Sequence, residues 1–333
     1  MSDIAVFGSG AWGTALASTW ARAGRTVTLW AFPEDAGAEL RRTRLHPRLP
    51  EAKLPESLRI VTNPQDAFEA GLWVSVLPTQ VSPEVWEGIL KTTAKRPDYL
   101  IHASKGILQS THGRLSEALS PIFGAPAGAL SGPTFANEVF RQLPAAIVLA
   151  LPCAISDDEC QRLQTLLASP RLRVYLSRDI VGVELCGALK NILAIAAGLM
   201  GALDLGMNAR AAMLTRGLAE MSRLVGSLGG RPETVMGLAG MGDLLLTATG
   251  PQSRNRQFGE MVGKGTSPQN AAKSMGEQVV EGVYTARAAM ELAREVGVEM
   301  PITQEVIRLL DGENPHDAVD NLMLRGLKTE WVL

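Results

Sequence analysis

The chain has 333 residues, more than a single hydrophobic core usually supports, so we expect two domains. Hydrophobic residues make up 46% of the sequence and charged residues 20%, a composition that excludes an intrinsically disordered protein. A net charge of −2 provides no overall basic field for nucleic acid or an anionic membrane surface. Small molecules or other subunits are therefore the expected partners, and nucleic acid is not.

The three cysteines, Cys153, Cys160 and Cys186, lack Cys-x-x-Cys spacing, and their odd number does not suit a disulfide framework. The N-terminus runs into an apolar strand at Ile4 without the features of a secretory signal. A reducing cytoplasm is the expected location. The longest apolar run, residues 192–203, is too short to span a bilayer, so we predict a buried helix there and no integral membrane segment.

The first part of the chain alternates short apolar segments with helical patterns, which is typical of a mostly parallel sheet covered by helices. Each apolar segment ends in turn residues or a polar loop, as buried strands do. The predicted strands are Ile4–Phe7, Val27–Trp30, Trp73–Leu77, Leu100–Ala103, Gly128–Leu130 and Ile147–Ala150. We therefore predict an α/β fold with a Rossmann-type, doubly wound sheet in residues 1–179.

After Arg178 the strand-like runs disappear, and segments rich in Ala, Leu and Gly predict a mostly α-helical C-terminal domain over residues 180–333. Asp179 is the expected N-cap of a helix that runs to about Asp204. A second helix is expected from near Asn208 to the glycine pair at 229–230. Farther along the chain, the candidate N-caps of shorter helices are Thr285 and Thr303.

A glycine-rich turn, Gly8-Ser9-Gly10-Ala11-Trp12-Gly13, follows the first predicted strand and precedes the helical run Thr14–Ala23. In such a turn Gly8 permits the tight bend, Gly10 lets the backbone approach a pyrophosphate, and Gly13 lets the helix pack on the sheet. The helix N-terminus then faces the anion with free N–H groups and a partial positive charge. The motif predicts a dinucleotide-binding domain, with a purely structural turn as the alternative.

The residues after the second strand leave the choice between NADP and NAD open. An Asp or Glu there would accept the ribose 2′-hydroxyl of NAD, whereas a basic residue would favour the 2′-phosphate of NADP. Phe32 provides neither group, and the acidic residues 34–35 lie slightly beyond the expected site. Arg41, Arg42 and Arg44 are close enough in sequence to reach it, although a solvated helix face is their simpler interpretation.

Lys190 lies in an apolar helical segment and has no acidic residue three or four positions away. Small Gly187 and Ala194 on its face would leave room for a ligand. Apolar surroundings would lower the pKa of Lys190 into the range useful for proton transfer. The alternative is a lysine that reaches from a half-buried helix to water. Asn191 would either donate to a ligand or satisfy backbone groups.

Other segments offer groups suited to a charged substrate, and each has a structural alternative. Lys105 follows a predicted strand, where parallel sheets place their ligands, or it is a surface lysine. The loop Gly132–Ala136 offers N–H groups and a hydroxyl, or it is a proline-stiffened turn. Asp243 delivers a carboxylate after a glycine-dense stretch, or it caps a helix. Residues 253–256, Ser-Arg-Asn-Arg, suit phosphate oxygens, or they form a solvated loop. The four histidines show no metal-ligand spacing, and we predict no metal.

Together these motifs resemble the bacterial-type NAD(P)-dependent glycerol-3-phosphate dehydrogenase family, and the resemblance covers almost the whole chain. The matching segments, in the order of the family, are Gly8–Thr14, Ser104–Gly106, Gly132–Ala136, Glu184–Asn191, Gly237–Asp243, Ser253–Arg256 and Val279–Gly282. The resemblance implies reversible hydride transfer between dihydroxyacetone phosphate and sn-glycerol 3-phosphate, which supplies glycerol 3-phosphate for phospholipid synthesis.

The resemblance also implies roles for individual residues. Lys190 matches the proton donor and acceptor, and the other catalytic positions are Lys105, Asn191, Asp243 and Thr247. The substrate-binding positions are Lys105, Gly132, Thr134, Lys190, Asp243, Ser253, Arg254 and Asn255, with Arg254 at the phosphate. The cofactor-binding positions are Gly8, Gly10, Ala11, Trp12, Gly13, Phe32, Lys105, Ala136, Arg254, Val279 and Glu281. Family members commonly carry Arg or His where this chain has Phe32, which cannot pair with a 2′-phosphate.

Two other functions fit parts of the sequence. A hydroxyacid dehydrogenase or ketoacid reductase also combines a Rossmann domain with a helical partner, and its substrate would carry a carboxylate in place of the phosphate. A sensor would bind NAD(H) without turnover, but sensing requires no proton-transfer lysine. A homodimer is compatible with the sequence and is left open.

Overall fold

The computed structural model describes residues 3–50, 52–276, 280–327 and 329–330. Within these residues, eight strands form one sheet in the spatial order β3-β2-β1-β4-β5-β6-β7-β8. The strands are β1 (Ile4–Phe7), β2 (Val27–Trp30), β3 (Arg59–Val61), β4 (Leu72–Ser75), β5 (Tyr99–His102), β6 (Gly128–Ser131), β7 (Ala145–Ala150) and β8 (Leu172–Ser177). Neighbouring strands are parallel except β6 and β7, which are antiparallel.

Helices cover the sheet and then continue alone through the rest of the described chain. They are α1 (Ala11–Arg22), α2 (Glu34–Thr43), α3 (Ser82–Leu90), α4 (Leu115–Phe123), α5 (Ala136–Phe140), α6 (Asp157–Leu167), α7 (Ile180–Ala202), α8 (Gly206–Ser227), α9 (Pro232–Val235), α10 (Asp243–Thr249), α11 (Arg254–Gly263), α12 (Pro268–Ser274), α13 (Glu281–Glu295), α14 (Pro301–Leu310) and α15 (Pro315–Met323). Short 3₁₀ turns occur at Pro64–Ala67 and Thr79–Val81, and a π-helical turn at Leu238–Gly242.

The sheet confirms the predicted α/β fold with an N-terminal Rossmann-like domain. From β1 the chain adds β2 and β3 on one side of the sheet, and it then continues with β4 on the other side. Doubly wound sheets bind their ligands at such a switch point, here between β1 and β4. Along β1, Ile4 and Val6 pack into one apolar cluster, whereas Ala5 and Phe7 pack into another. Because successive side chains point to opposite faces, one short strand contributes to a core on each side of the sheet.

Two strands were not predicted. β3 has three residues and begins at the exposed Arg59. β8 forms one edge of the sheet and alternates buried residues with exposed ones, among them Tyr175. Neither strand has the continuous apolar run of a strand buried on both faces, so neither carries the sequence pattern by which the other strands are predicted.

The helical C-terminal domain is confirmed and is organised around α7. Asp179 caps this helix as predicted, with its Oδ1 accepting from the Gly182 N–H at 2.8 Å. α7 packs against α8, α10, α11, α13 and α14.

Among the described residues α7 is the one helix long and apolar enough to cross a membrane, but most of it is buried inside the protein, as in the core helix of a globular protein. The division at residues 179/180 stays a prediction, which the start of α7 supports.

The predicted N-caps Thr285 and Thr303 are wrong. α13 starts at Glu281 and α14 at Pro301, so both threonines lie inside helices and are buried. Proline at the first position starts α14 two residues before Thr303. The carboxylate of Glu220 in α8 takes the place of a cap, because it accepts from the N–H groups of residues 302 and 303 at 2.6 and 3.3 Å.

Candidate active site

The glycine turn lies between β1 and α1, at the carboxyl end of the sheet. Gly8 has a φ of +119°, and a Cβ there would lie 2.7 Å from the carbonyl oxygen of Val76. A Cβ on Gly13 would lie 2.0 Å from the carbonyl oxygen of Gly8. At Gly10, by contrast, a Cβ would meet no atom within 4 Å. The turn is thus closed towards the protein and open beside Gly10, which is the shape that a pyrophosphate requires.

The end of β2 presents an apolar surface. Phe32 has 68% of its surface exposed and lies against Trp30, with ring centroids 5.8 Å apart. Of the three nearby arginines, Arg42 pairs with a glutamate of its own helix, and Arg44 donates to two main-chain carbonyls. Arg41 is exposed on α2. The interpretation of Arg42 as part of a solvated helix face therefore fits the structure better than a role in binding a 2′-phosphate.

Three charged residues predicted at the catalytic site meet in one cluster. Asp243 accepts from Lys190 Nζ through Oδ1 at 2.9 Å and from Lys105 Nζ through Oδ2 at 2.6 Å. Lys190 also donates to Thr247 Oγ1 at 2.7 Å, and Thr247 donates to the carbonyl oxygen of Asp243. Lys190 and Asp243 are buried, on α7 and α10, whereas the partly exposed Lys105 follows β5. The cluster therefore joins the sheet to the helical domain.

Burial and charge act against each other in this cluster. Burial is the largest influence on Lys190, and it lowers the pKa to about 8 despite the attraction of Asp243. Burial also pushes the pKa of Asp243 upwards, but the ammonium groups of Lys105 and Lys190 outweigh it and hold that pKa below its usual value. Asp243 is consequently a carboxylate, and Lys190 can both hold and release a proton near neutral pH.

The structure corrects the expectation of free space around Lys190. A Cβ on Gly187 would lie 2.7 Å from Ser131 Oγ, so this glycine makes room for β6 and not for a ligand. Ala194 is fully buried in the helical core. Asp243 does not cap a helix through its side chain either, because that carboxylate is occupied by the two lysines.

Asn191, one residue beyond Lys190, is linked to the predicted phosphate-binding segment. Its Oδ1 accepts from Asn255 Nδ2 at 2.9 Å, and Asn255 Oδ1 accepts from the Gly282 N–H at 3.0 Å. Asn191 therefore accepts from another side chain, and the alternative in which it satisfies backbone groups is wrong. Ser253 caps α11 by accepting from a backbone N–H, and the exposed Arg254 is the first residue of that helix.

The loop after β6 encloses Lys105. The carbonyl oxygen of Gly132 accepts from Lys105 Nζ at 2.9 Å and from Thr134 Oγ1 at 3.2 Å. Ala136 begins α5, which packs against α1. This loop therefore connects the lysine cluster to the helix that follows the glycine turn.

Several polar atoms at this edge of the sheet have no partner among the described residues: Trp12 Nε1, Thr79 Oγ1 and Glu281 Oε2. The last two lie 2.8 and 2.9 Å from the point that a Cβ on Gly106 would occupy. Burial raises the pKa of Glu281 to about 7. Buried polar atoms normally find a partner, so these atoms and the open space beside Gly10 fit a bound dinucleotide. Val279 lies outside the described residues.

Sequence reasoning missed His46, which is buried against the glycine turn. Its Nδ1 accepts from the Arg48 N–H at 3.1 Å, so its Nε2 carries the proton and donates to the Ser9 carbonyl oxygen at 3.0 Å. Burial is the main cause of the lowered pKa of His46, which favours this neutral form. A single histidine in an irregular loop, distant in sequence from the turn, provides no pattern that could have revealed this contact.

Comparison with known proteins identifies the family. Residues 3–156 match the N-terminal model, and residues 179–320 the C-terminal model, of NAD-dependent glycerol-3-phosphate dehydrogenase. The chain belongs to the NAD-dependent glycerol-3-phosphate dehydrogenase family. The resemblance inferred from the motifs is thereby confirmed.

Several relatives align with this chain over all or nearly all of its length. It is 43% identical to glycerol-3-phosphate dehydrogenase [NAD(P)+] of Koribacter versatilis over 100% of both chains, and 44% identical to that of Geobacter sulfurreducens over 98% of each. The crystal structure of glycerol-3-phosphate dehydrogenase from Coxiella burnetii is 39% identical, with a TM-score of 0.90, covering 97% of this chain and 99% of that one. A ketopantoate reductase from Ralstonia eutropha, 15% identical with a TM-score of 0.63, shares the fold alone.

Proposed function

We propose that this protein is an NAD(P)-dependent glycerol-3-phosphate dehydrogenase that interconverts dihydroxyacetone phosphate and sn-glycerol 3-phosphate. The observation that carries the proposal is the ionic cluster in which the buried Lys190 and Asp243 meet the partly exposed Lys105. Full-length relatives that carry this name support it. A protein that only senses NAD(H) has no use for a buried lysine whose pKa lies near 8.

Lys190 exchanges the proton of the substrate oxygen on the reacting carbon. The nicotinamide, when bound, supplies or accepts the hydride. With a pKa of about 8, Lys190 is available as an acid for ketone reduction and as a base for alcohol oxidation. Asp243 accepts from the ammonium groups of Lys190 and Lys105 through its two oxygens. Lys190 also donates to Thr247 Oγ1, which helps to fix its position. Asn191 lies beside Lys190 and completes the proposed catalytic set.

The substrate phosphate is assigned to the start of α11. Arg254 is exposed there, where a guanidinium fork and free backbone N–H groups favour an anion. Ser253 and Asn255 flank it. Asn255 donates a hydrogen bond to Asn191, so the proposed phosphate-binding segment is held to the residue next to the proton-transfer lysine. The remaining proposed substrate contacts, from the loop after β6 and the lysine cluster, are Gly132, Thr134, Lys105, Lys190 and Asp243.

The dinucleotide is assigned to the glycine turn and the partnerless polar atoms around it. The residues proposed to hold it are Gly8, Gly10, Ala11, Trp12, Gly13, Phe32, Lys105, Ala136, Arg254, Val279 and Glu281. Phe32 offers no charge to a 2′-phosphate and no carboxylate to a 2′-hydroxyl, so we propose that both NADP and NAD are used.

We place the reaction in the cytoplasm, where it would supply glycerol 3-phosphate for phospholipid synthesis. The three cysteines are free, as is usual in a reducing compartment. A homodimer stays a prediction.

The proposal is tested by following absorbance at 340 nm while the protein is mixed with NADH or NADPH and one candidate substrate. We expect oxidation of the cofactor with dihydroxyacetone phosphate and little with a 2-ketoacid. Turnover of the 2-ketoacid alone would favour a ketoacid reductase. Binding of NADH without turnover of either substrate would favour a sensor.

A further inference from the structure

A second buried ionic cluster lies on α7, six residues before Lys190. The carboxylate of Glu184 accepts from His102 Nε2 at 2.8 Å, Arg114 Nη1 at 2.8 Å, the Ser116 N–H at 2.9 Å and Ser116 Oγ at 2.5 Å. All four donors belong to β5 or to the start of α4, in the N-terminal part of the chain. One side chain of the helical domain is thus held by two elements of the other domain.

The charges of this cluster strengthen the link between the two domains. Burial pushes the pKa of Glu184 upwards, but His102, Arg114 and Ser116 outweigh it and lower the pKa to about 2. Glu184 is therefore ionised, and His102 donates to it through Nε2. His102 Nδ1 has no partner within the part of the chain that the structure describes. Removing the carboxylate would leave the buried donors of His102 and Ser116 unsatisfied, which is costly.

Glu184 and His102 lie close in sequence to the two lysines of the lysine cluster. His102 is the last residue of β5, and Lys105 follows it by three residues. Lys190 lies less than two helical turns beyond Glu184 on the same helix. The Glu184–His102 contact therefore joins the two segments whose lysines meet on Asp243, and it sets the position of one segment relative to the other.

We propose that Glu184 is a positioning residue that aligns α7 with the end of β5, so that Lys190 and Lys105 both reach Asp243. Glu184 need not contact substrate or cofactor. The inference rests on the proposed function, because it assigns Glu184 a part in placing the proton-transfer lysine. Nothing in the sequence marked the residue beyond its place in the segment 184–191.

The test compares Glu184→Gln with the wild type. The amide presents an N–H group to donors that need an acceptor, so α7 and β5 should shift apart and the contact between Lys190 and Asp243 should weaken. We expect kcat for dihydroxyacetone phosphate to fall by about 10- to 100-fold, as misplacement by about 1 Å does, with KM for the dinucleotide nearly unchanged. Glu184→Asp, which keeps the charge, should recover part of the loss.

A titration of Lys190 provides a readout that does not depend on turnover. Because Asp243 raises the pKa of Lys190, weakening their contact should lower that pKa further. We expect NMR of protein carrying ¹³C at the lysine ε-carbons, with the Lys190 signal assigned from Lys190→Arg, to show this shift in Glu184→Gln. An inactive wild-type protein would refute the proposed function, but the titration would still test the positioning role.

Glu220→Gln is the matched control, because Glu220 is also a buried carboxylate that accepts backbone N–H groups from another helix, but outside the lysine cluster. It should change stability without moving kcat or the Lys190 titration. Ser116→Ala, which removes one donor and keeps the carboxylate, replaces Glu184→Gln if that variant does not fold, with smaller changes in the same directions. Wild-type kcat and an unmoved Lys190 pKa in a folded variant would overturn the proposal.

Discussion

Lys190 owes its chemistry to residues that are distant in sequence. The helices packed around α7 bury it, which lowers the pKa, while the balancing carboxylate comes from α10 and the second ammonium group from the loop after β5. The apolar run around Lys190 made burial predictable, but the absence of an acidic neighbour on α7 hid the Asp243 contact. Only the family resemblance suggested that these residues meet.

Replacing Lys190 tests its role in proton transfer. Lys190→Ala should lower turnover by about 10²- to 10⁴-fold, the usual contribution of a general acid or base. Dinucleotide binding, measured by titration of NADH fluorescence, should persist because the glycine turn is untouched. Lys264→Ala removes an exposed lysine paired with Glu260 and should behave like the wild type. Near-normal turnover in Lys190→Ala would exclude this role.

Replacing Arg254 tests phosphate recognition. Arg254→Ala should reduce kcat/KM strongly for dihydroxyacetone phosphate and much less for dihydroxyacetone, which lacks the phosphate that the guanidinium would bind. The measurement is the ratio of the two kcat/KM values in each protein. Equal losses for both substrates would place Arg254 elsewhere in the mechanism.

Replacing Phe32 tests the choice of cofactor. Because the Phe32 side chain is exposed after β2, Phe32→Arg should fit without repacking and offer a positive charge to a 2′-phosphate. The kcat/KM for NADPH relative to NADH should rise about 10-fold or more, since a charge-assisted hydrogen bond is worth about 1.5–3 kcal/mol. Phe32→Leu is the uncharged control. An unchanged ratio would mean that the 2′-phosphate does not lie near residue 32.

At the scale of helices and strands, elements with a local signal were predictable. The strand, glycine turn and helix at residues 4–22 follow one another in sequence, and the structure contains them as predicted. Elements defined by contacts with other parts of the chain were not. The edge strand β8 lacks a continuous apolar run, and the start of α14 is stabilised by Glu220 from another helix.

The burial of Glu220 predicts how stability depends on pH, because it outweighs the hydrogen bonds from the α14 N–H groups, which lower the pKa. Burial raises the pKa of Glu220 to about 7, above its unfolded value, so its contribution to stability is complete below about pH 4.5 and is lost as pH rises through 7. The loss amounts to about 3 kcal/mol. Chemical denaturation at pH 5 and pH 8 should show a larger decrease in unfolding free energy for the wild type than for Glu220→Gln. Equal decreases would contradict the assignment.

At the scale of the whole molecule, the candidate site depends on how the helical domain meets the sheet. The α/β class and the helical C-terminal domain could be predicted from hydrophobic patterns. The relative placement of the two parts could not, because it depends on long-range contacts of Glu184 with β5 and of Asp243 with Lys105. These contacts join residues more than 80 positions apart.

The central claim is that Lys190 transfers a proton in both directions of the reaction, and the pH dependence of kcat/KM tests it most directly. The dependence should be measured for oxidation of glycerol 3-phosphate and for reduction of dihydroxyacetone phosphate. With a Lys190 pKa of about 8, oxidation should increase as pH rises through 8, since it needs the neutral amine, and reduction should decrease over the same range, since it needs the ammonium form. Profiles that change in the same direction for both reactions, or that show no inflection near pH 8, would contradict the claim.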